Sequence, residues 1–286
     1  MCNLISMLGL GSSALTPDYV PINLANDISD MKRWYRPYEG VTFDASTLKL
    51  EGWVDQTGNY NALAYQTNSG IQPLYQADGS FLINDSTDNA TGDANGGAIR
   101  IADGSTKLEC KIDGTGGGDA GYPGFCAFFV MKSSDFTDRV PQGFFGNLST
   151  TTNFAAGNAF FSDNTDGNTH SDFVFTLRDA GGVDQAAGST NWGSDSKFLI
   201  IVNFKADGDF EMYSHTDKIQ EDTSGFTSKI ASNFDTLGSV QSHDGSEYTY
   251  YPYKDGRIYE FGAWERELTA AEIAIVQNDI TNRHGL

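Results

Sequence analysis

Gly256-Arg-Ile258-Tyr-Glu260-Phe-Gly-Ala-Trp264-Glu-Arg-Glu-Leu268-Thr-Ala-Ala-Glu272-Ile273 passes from strand to turn to helix within one short stretch. Its first part, Arg257–Trp264, is built of aromatic and β-branched residues that fit a pleated, half-buried surface. Thr269-Ala-Ala-Glu272 then forms a capping box, in which the Thr hydroxyl satisfies a free helix amide and Glu272 reaches back. Ile273, Val276 and Ile280 fall on one helical face, and Gly285 supplies the stop. This is the one convincing helix pattern in the chain. A lone helix closing a chain of strands is expected to pack across the edge of what they build.

Upstream, the same strand signals recur at Ala98–Ile101, Leu108–Ile112, Phe125–Met131, Gly143–Phe145, Phe173–Leu177, Phe198–Phe204 and Phe210–Tyr213. Between them lie turn clusters such as Asp113-Gly-Thr-Gly-Gly-Gly-Asp119. The clearest hairpin joins Leu199–Phe204 to Phe210–Tyr213 through Asp207-Gly208, a pair that tolerates the positive φ of a tight turn. Many short strands with glycine-rich turns imply a sandwich or barrel. The composition agrees, with 32 glycines for turns and 19 Phe, 13 Tyr and 4 Trp for a core. That much apolar area to bury argues against disorder.

Residues 1–30 differ from the rest. Small residues, Pro17, Pro21 and scattered apolar side chains show no strand or helix period, so they read as an extended arm docking elsewhere. Residues 31–286 form the domain. The start, Met1-Cys-Asn-Leu-Ile-Ser-Met-Leu-Gly-Leu-Gly11, carries no Lys or Arg before Lys32, and a secretory signal is not expected. No segment approaches the roughly 18 to 20 apolar residues that cross a bilayer, so membrane insertion is not expected either. Cys2, Cys110 and Cys126 cannot all pair within one chain, which favours buried free thiols over a disulfide framework. A net charge of −20 repels phosphate backbones and makes nucleic acid a poor partner.

Three stretches together resemble the laminin-G-like members of the concanavalin A-like lectin/glucanase superfamily. Leu50-Glu-Gly-Trp53-Val-Asp55-Gln-Thr57-Gly58-Asn59 is similar to the family's opening Trp-x-Asp-x-Ser-Gly-Asn segment, with Thr57 where Ser is usual. Gln72-Pro73-Leu-Tyr75 and Ala98-Ile-Arg-Ile101-Ala-Asp-Gly104 resemble the strand that leads to Asp-Gly. The Gly256–Ile273 block is similar to the closing strand and terminal helix, and the likeness spans about residues 34–286. It implies an all-β fold: a two-sheet antiparallel jelly-roll sandwich with one C-terminal α-helix, plus the N-terminal arm. Trp53 and Trp264 would both fill the core between the sheets, while Asp55 and Asn59 order a turn.

The resemblance also implies a setting, since such domains occur in bacterial surface proteins, polysaccharide-active enzymes and bacteriophage virions. With the arm and no signal peptide, the expectation is a non-enzymatic virion structural protein, made in the bacterial cytoplasm. Tail fibre, tail tip or head decoration are the candidate positions, with the arm on other virion proteins, homo-oligomerisation, and host glycans as possible ligands. The alternative is a bacterial polysaccharide-binding module or a degenerate glucanase-like enzyme.

Retaining glycosidases need two carboxyls only about 5 Å apart, and the strands here carry no Glu-x-Asp-x-Glu pattern. Glu265 and Glu267 fall where strand turns into helix and are expected to ion-pair beside Arg266, while Glu211 and Glu247 lack a strand-mate carboxylate. His170, His215, His243 and His284 are scattered and read as surface residues. Calcium is the cofactor suited to acidic loops; Asp163, Asp166 and Asn168 form one candidate set, and Asp85 and Asp88 the other. A glycan site needs an aromatic platform with polar neighbours, which nominates Trp192 and the tyrosines Tyr250, Tyr251 and Tyr253.

Overall fold

A computed structural model of the chain describes residues 22–64, 72–83, 98–102, 104–115, 119–132, 142–146, 159–163, 172–178, 184–187, 196–222, 226–243, 248–252 and 256–286. Among them the architecture is all-β, with antiparallel pairings and a C-terminal helix. An eight-stranded sheet runs Lys218–Asp222, Phe210–Tyr213, Lys197–Phe204, Phe125–Lys132, Arg257–Trp264, Phe81–Leu82, Leu74–Tyr75, with Met31–Tyr35 also paired to Arg257–Trp264. A seven-stranded sheet runs Asp184–Ala187, Asp172–Arg178, Ala159–Asp163, Gln142–Gly146, Thr236–Leu237, Ile99–Arg100, Leu63–Ala64. Two-stranded sheets pair Lys229–Phe234 with Leu108–Asp113, Ser239–His243 with Tyr248–Pro252, and Val41–Phe43 with Leu50–Trp53.

The period-two alternation of a strand sorts these residues into two cores. From Phe125–Lys132, the side chains Phe125, Ala127, Phe129 and Met131 enter one cluster, and Cys126, Phe128 and Val130 enter the other. Lys197–Phe204 splits the same way, Phe198, Ile200, Val202 and Phe204 against Leu199 and Ile201. The first cluster also takes Ile99, Phe144, Phe145 and Leu237 from the seven-stranded sheet, so it lies between the two large sheets. Aromatic packing fills it: Phe145 stacks on Phe234 at 4.1 Å and meets Phe129 edge-on at 5.3 Å. Each such fully buried ring stabilises the fold by roughly 1.5–3 kcal/mol.

The second cluster lies on the other face of the eight-stranded sheet, under the terminal helix Ala270–His284. The helix therefore covers a sheet face instead of crossing an edge. The reason is the apolar outer set Cys126, Phe128, Val130, Leu199, Ile201 and Trp264, which Ile273, Val276 and Ile280 remove from water. Trp264 belongs here and not between the sheets. Trp53 does lie in the inter-sheet core, its indole N–H donating to the Arg36 carbonyl at 2.8 Å. A bulge between Ile258 and Glu260 turns both Tyr259 and Glu260 toward the helix side.

Both ends of the terminal helix match the sequence reading. Thr269 Oγ1 accepts from the Glu272 amide, Glu272 returns the contact at 2.8 Å, and Gly285 closes the helix at φ 63°. Residues 22–30 add a second, short helix, Leu24–Asp27, whose Leu24 joins Ile28 in the cluster beneath the terminal helix. That part of the arm is docked on its own domain. Asp55 orders the turn after Trp53: Oδ1 accepts from the Trp34 and Thr57 amides, and Oδ2 from Thr57 Oγ1 and the Asn59 and Tyr60 amides.

Candidate functional site

Four of the five exposed large apolar side chains among the described residues fall between positions 38 and 63. They are Tyr38 at 62% exposure, Leu48 at 46%, Leu63 at 45% and Val54 at 42%. The Val41–Phe43 and Leu50–Trp53 hairpin positions them, anchored by Trp53 in the core. Gly40 packs directly against Val54, and the Tyr75 amide donates to the Leu48 carbonyl at 2.7 Å. Leu63 lines an open cleft of about 590 Å³, together with Asp44, Thr47, Lys49, Leu50 and Glu51 among others. Its lining is mostly polar, with Leu50, Leu63 and Ala64 as the apolar part. The Ser46 hydroxyl and amide both donate to Asp44, holding its carboxyl below the ordinary range.

Tyr38 is the unusual member, with a left-handed backbone at φ 64°. Such a conformation costs a non-glycine residue energy and is found mainly in turns and functional sites. Its ring lies on the Gly79 turn: a Cβ on Gly79 would stand 2.7–2.9 Å from three ring atoms of Tyr38. Gly79 itself has φ 80°, so both its backbone and its missing side chain are needed there. One face of Tyr38 therefore rests on backbone while most of the residue remains in solvent. Next to it, Asp78 Oδ2 accepts from Arg257 Nη1 at 2.8 Å and from the Tyr259 hydroxyl at 3.0 Å. Oδ1 accepts from the Ser80 hydroxyl and amide. Partial burial pushes the Asp78 carboxyl up, but Ser80, Tyr259 and Arg257 outweigh it and leave the group below its ordinary value. Burial and Asp78 push the Tyr259 phenol up to about 12.

The residues singled out from sequence lie elsewhere. Trp192, Tyr253, Asp85, Asp88, Asp166 and Asn168 lie outside the described residues. Tyr250 and Tyr251 sit on the Tyr248–Pro252 strand, in register with Gln241 and Val240. Asp163 ends the Ala159–Asp163 strand, opposite Asp172. Among the described residues no group of three or more His, Cys, Asp or Glu is arranged to hold a metal ion. No helix there is long and apolar enough to cross a membrane.

Of the acidic residues weighed for catalysis, Glu247 lies outside the described residues and the other three hold the fold together. Glu265 accepts from the Glu109 amide at 2.9 Å and pairs with Lys32, while Glu267 accepts from the Ala206 amide at 3.2 Å. Arg266 pairs instead with Glu272 at 2.7 Å, because the first helical turn brings that carboxylate alongside. Glu211 does have a carboxylate opposite it, Glu221 on the neighbouring strand, and Lys218 bridges the two at 3.3 and 3.0 Å. His284 is buried on Glu260 and is no surface residue, because the last helical turn lies over the sheet. Sequence reasoning passed over Tyr38. Its one signal was an aromatic inside Arg36-Pro-Tyr38-Glu-Gly40, a turn with no strand partner for the ring.

No family model matches the sequence, and no curated protein matches it. Solved structures do resemble the fold. The receptor-binding domain of botulinum neurotoxin D superposes with a TM-score of 0.54 at 13% identity, covering 87% of this chain and 52% of that one. For the binding domain of Paraclostridial Mosquitocidal Protein 1 the values are 0.54, 12%, 91% and 54%. The binding domain of botulinum neurotoxin DC, solved in complex with rat synaptotagmin II, gives 0.55, 13%, 88% and 52%. The chain thus spans about half the length of these neighbours. At such identities the likeness is one of fold: an all-β architecture shared with toxin binding domains.

Proposed function

We propose that this chain is a non-enzymatic recognition domain that binds glycans on a cell surface through the loop end carrying Tyr38, Leu48, Val54 and Leu63. The observation that carries the reading is that four of the five exposed large apolar side chains among the described residues lie on or beside one hairpin, with Leu63 lining an open cleft. Protein surfaces scatter such residues singly, and a concentrated patch marks a place where something docks. The structural neighbours are named as binding domains, which fits the same class of role. The engagement of Glu265, Glu267 and Glu211 in amide and lysine contacts speaks for binding without turnover.

The finer architecture we assign is the two-sheet jelly-roll sandwich of the laminin-G/concanavalin A type, supported by a first core shared between the inner faces of the two large sheets. The setting we assign is a bacteriophage virion, with residues before Ile22 as the anchor and several copies adding avidity to weak individual contacts. Titration of the purified chain with neutral and acidic oligosaccharides by calorimetry tests the binding. The same mixtures are assayed for new reducing ends. Binding without new ends is the expected outcome, and Leu63→Asp weakens it. Turnover, or absence of binding across the whole series, overturns the reading. Mass spectrometry of purified phage particles that contain the chain tests the setting.

A further inference from the structure

The eight-stranded sheet carries a row of cations in register. Lys197 pairs with Lys132 across one strand boundary, and Lys132 with Arg257 across the next. Their neighbours Phe198, Met131 and Ile258 all point into the inter-sheet core, so the three cations share the opposite, outer face. Strand spacing makes the row roughly 10 Å wide, the scale of a disaccharide. Like charges set directly opposite one another destabilise a sheet, and Asp78 offsets part of that cost by pairing with Arg257 at 2.8 Å.

The row joins the Tyr38 platform through Asp78. That carboxylate sits next to Gly79, on which the Tyr38 ring lies, and bonds both Arg257 and the Tyr259 hydroxyl. Lys197 Nζ stands 5.1 Å over the buried Tyr259 ring, whose hydroxyl reaches Asp78, so Tyr259 ties Lys197 to the Asp78–Arg257 pair from beneath. An exposed aromatic face accepts the C–H side of a pyranose ring. A guanidinium beside it donates to a carboxylate, with two lysines as further point charges. Resting on the glycan-binding reading above, we propose that Tyr38, Arg257, Lys132 and Lys197 form a site for an acidic glycan, a chain of pyranoses bearing ring carboxylates. The sugar ring lies on Tyr38 and its carboxylate meets Arg257, while the lysines take the next acidic residue. Partial burial holds the Lys197 ammonium below its ordinary value, a cost that an anion on this face offsets.

Calorimetry of the full chain with oligogalacturonate, and with neutral oligogalactose of equal length, tests the site. We expect oligogalacturonate to bind at least tenfold more tightly, with affinity falling as salt rises. Tyr38→Ala lowers that affinity about tenfold or more. Lys132→Gln/Lys197→Gln removes most of the preference for the acidic chain and flattens the salt dependence. Ile275→Ser, on the exposed side of the terminal helix, leaves binding unchanged, and thermal melts establish that each variant is folded. Equal affinity for the two oligosaccharides, or an unaltered Tyr38→Ala, overturns the site. Binding of neutral sugar that Leu63→Asp weakens and Tyr38→Ala does not would leave the broader glycan reading standing and remove this one. Salt dependence of the unmodified chain decides the charge argument even if the lysine variants melt.

Discussion

Two regions of this molecule use the same chemistry for different ends. Under the terminal helix, Glu260 is fully buried and meets Arg283 at 2.6 and 2.7 Å, His284 at 2.7 Å and the Trp34 indole at 2.8 Å. At the loop end, Asp78 meets Arg257 and Tyr259 beside the Tyr38 ring, with the Asp78 and Arg257 side chains 41% and 35% exposed. Each is a carboxylate held by a guanidinium and an aromatic N–H or O–H. The difference is the cover. The chain's own helix and Trp34 close the first set, so its interactions are spent on stability. In the second set Tyr259 is buried with the helix-side cluster, while the Asp78 and Arg257 side chains stay partly in solvent, where a ligand can reach them.

Breaking the closed set has the largest expected effect. Glu260→Gln leaves Arg283 with only Asp279 as a carboxylate partner in a buried place, which costs about 3 kcal/mol. The pH dependence follows from the same groups. Burial pushes the Glu260 carboxyl up, but Arg283 and His284 override it and hold the group at about 2. A depressed acid stabilises the fold fully above its unfolded value near 4.5 and loses that contribution as pH falls toward 2. Burial lowers the His284 imidazole from 6.5, so its contribution also shrinks on acidification below that value. Thermal melts from pH 7 to pH 3 are expected to fall with acid for the unmodified chain. For Glu260→Gln they should start lower and lose part of the slope; parallel curves would mean that this cluster does not set the acid response.

A smaller effect tests how tightly the helix side is closed. Gly262 lies on the central Arg257–Trp264 strand, and a Cβ there would stand 2.2 Å from Phe128 and 2.5 Å from Met31. Both neighbours are buried, so neither can move freely. Gly262→Ala is expected to destabilise by about 2 kcal/mol through overpacking, read as a lower denaturation midpoint with an unchanged slope. A neutral result would mean that the second core repacks and that the closed region is as adaptable as the open one.

The closed half of this contrast was largely legible in the sequence. Thr269 and Glu272 announce the helix start, and Phe125–Met131 and Phe198–Phe204 are apolar runs that only strands covered on both faces would carry. The face that the helix covers was not legible, because a bulge at Ile258–Glu260 changes the alternation that sequence reading assumes. Trp264 was misplaced because its strand face follows from that bulge, and His284 because it is fixed by where the helix lands and not by its own neighbours in sequence. The open half was hardly legible at all. Arg257, Lys132 and Lys197 lie far apart in the chain and become a row only through strand register. Tyr38 and Gly79 meet through a tertiary contact that neither turn motif encodes alone.

The smallest stability effect carries the sharpest test of the open region. Tyr38 holds φ 64°, a conformation that glycine adopts freely and tyrosine does not. Tyr38→Gly removes that strain, and it also removes a ring that is mostly in solvent and contributes little burial. The two effects oppose each other, and glycine adds freedom to the unfolded chain, so the net change is expected within about 0.5 kcal/mol. If Tyr38 serves recognition, the variant melts at nearly the unmodified temperature yet loses glycan affinity, since no other exposed ring among the described residues lies on that turn. If Tyr38 serves the fold, the variant melts several degrees lower and binding falls only as folding does. Melting and titration of one variant thus separate a strained residue kept for a ligand from one kept for packing, and the same pair of measurements on Glu260→Gln should give the reverse pattern.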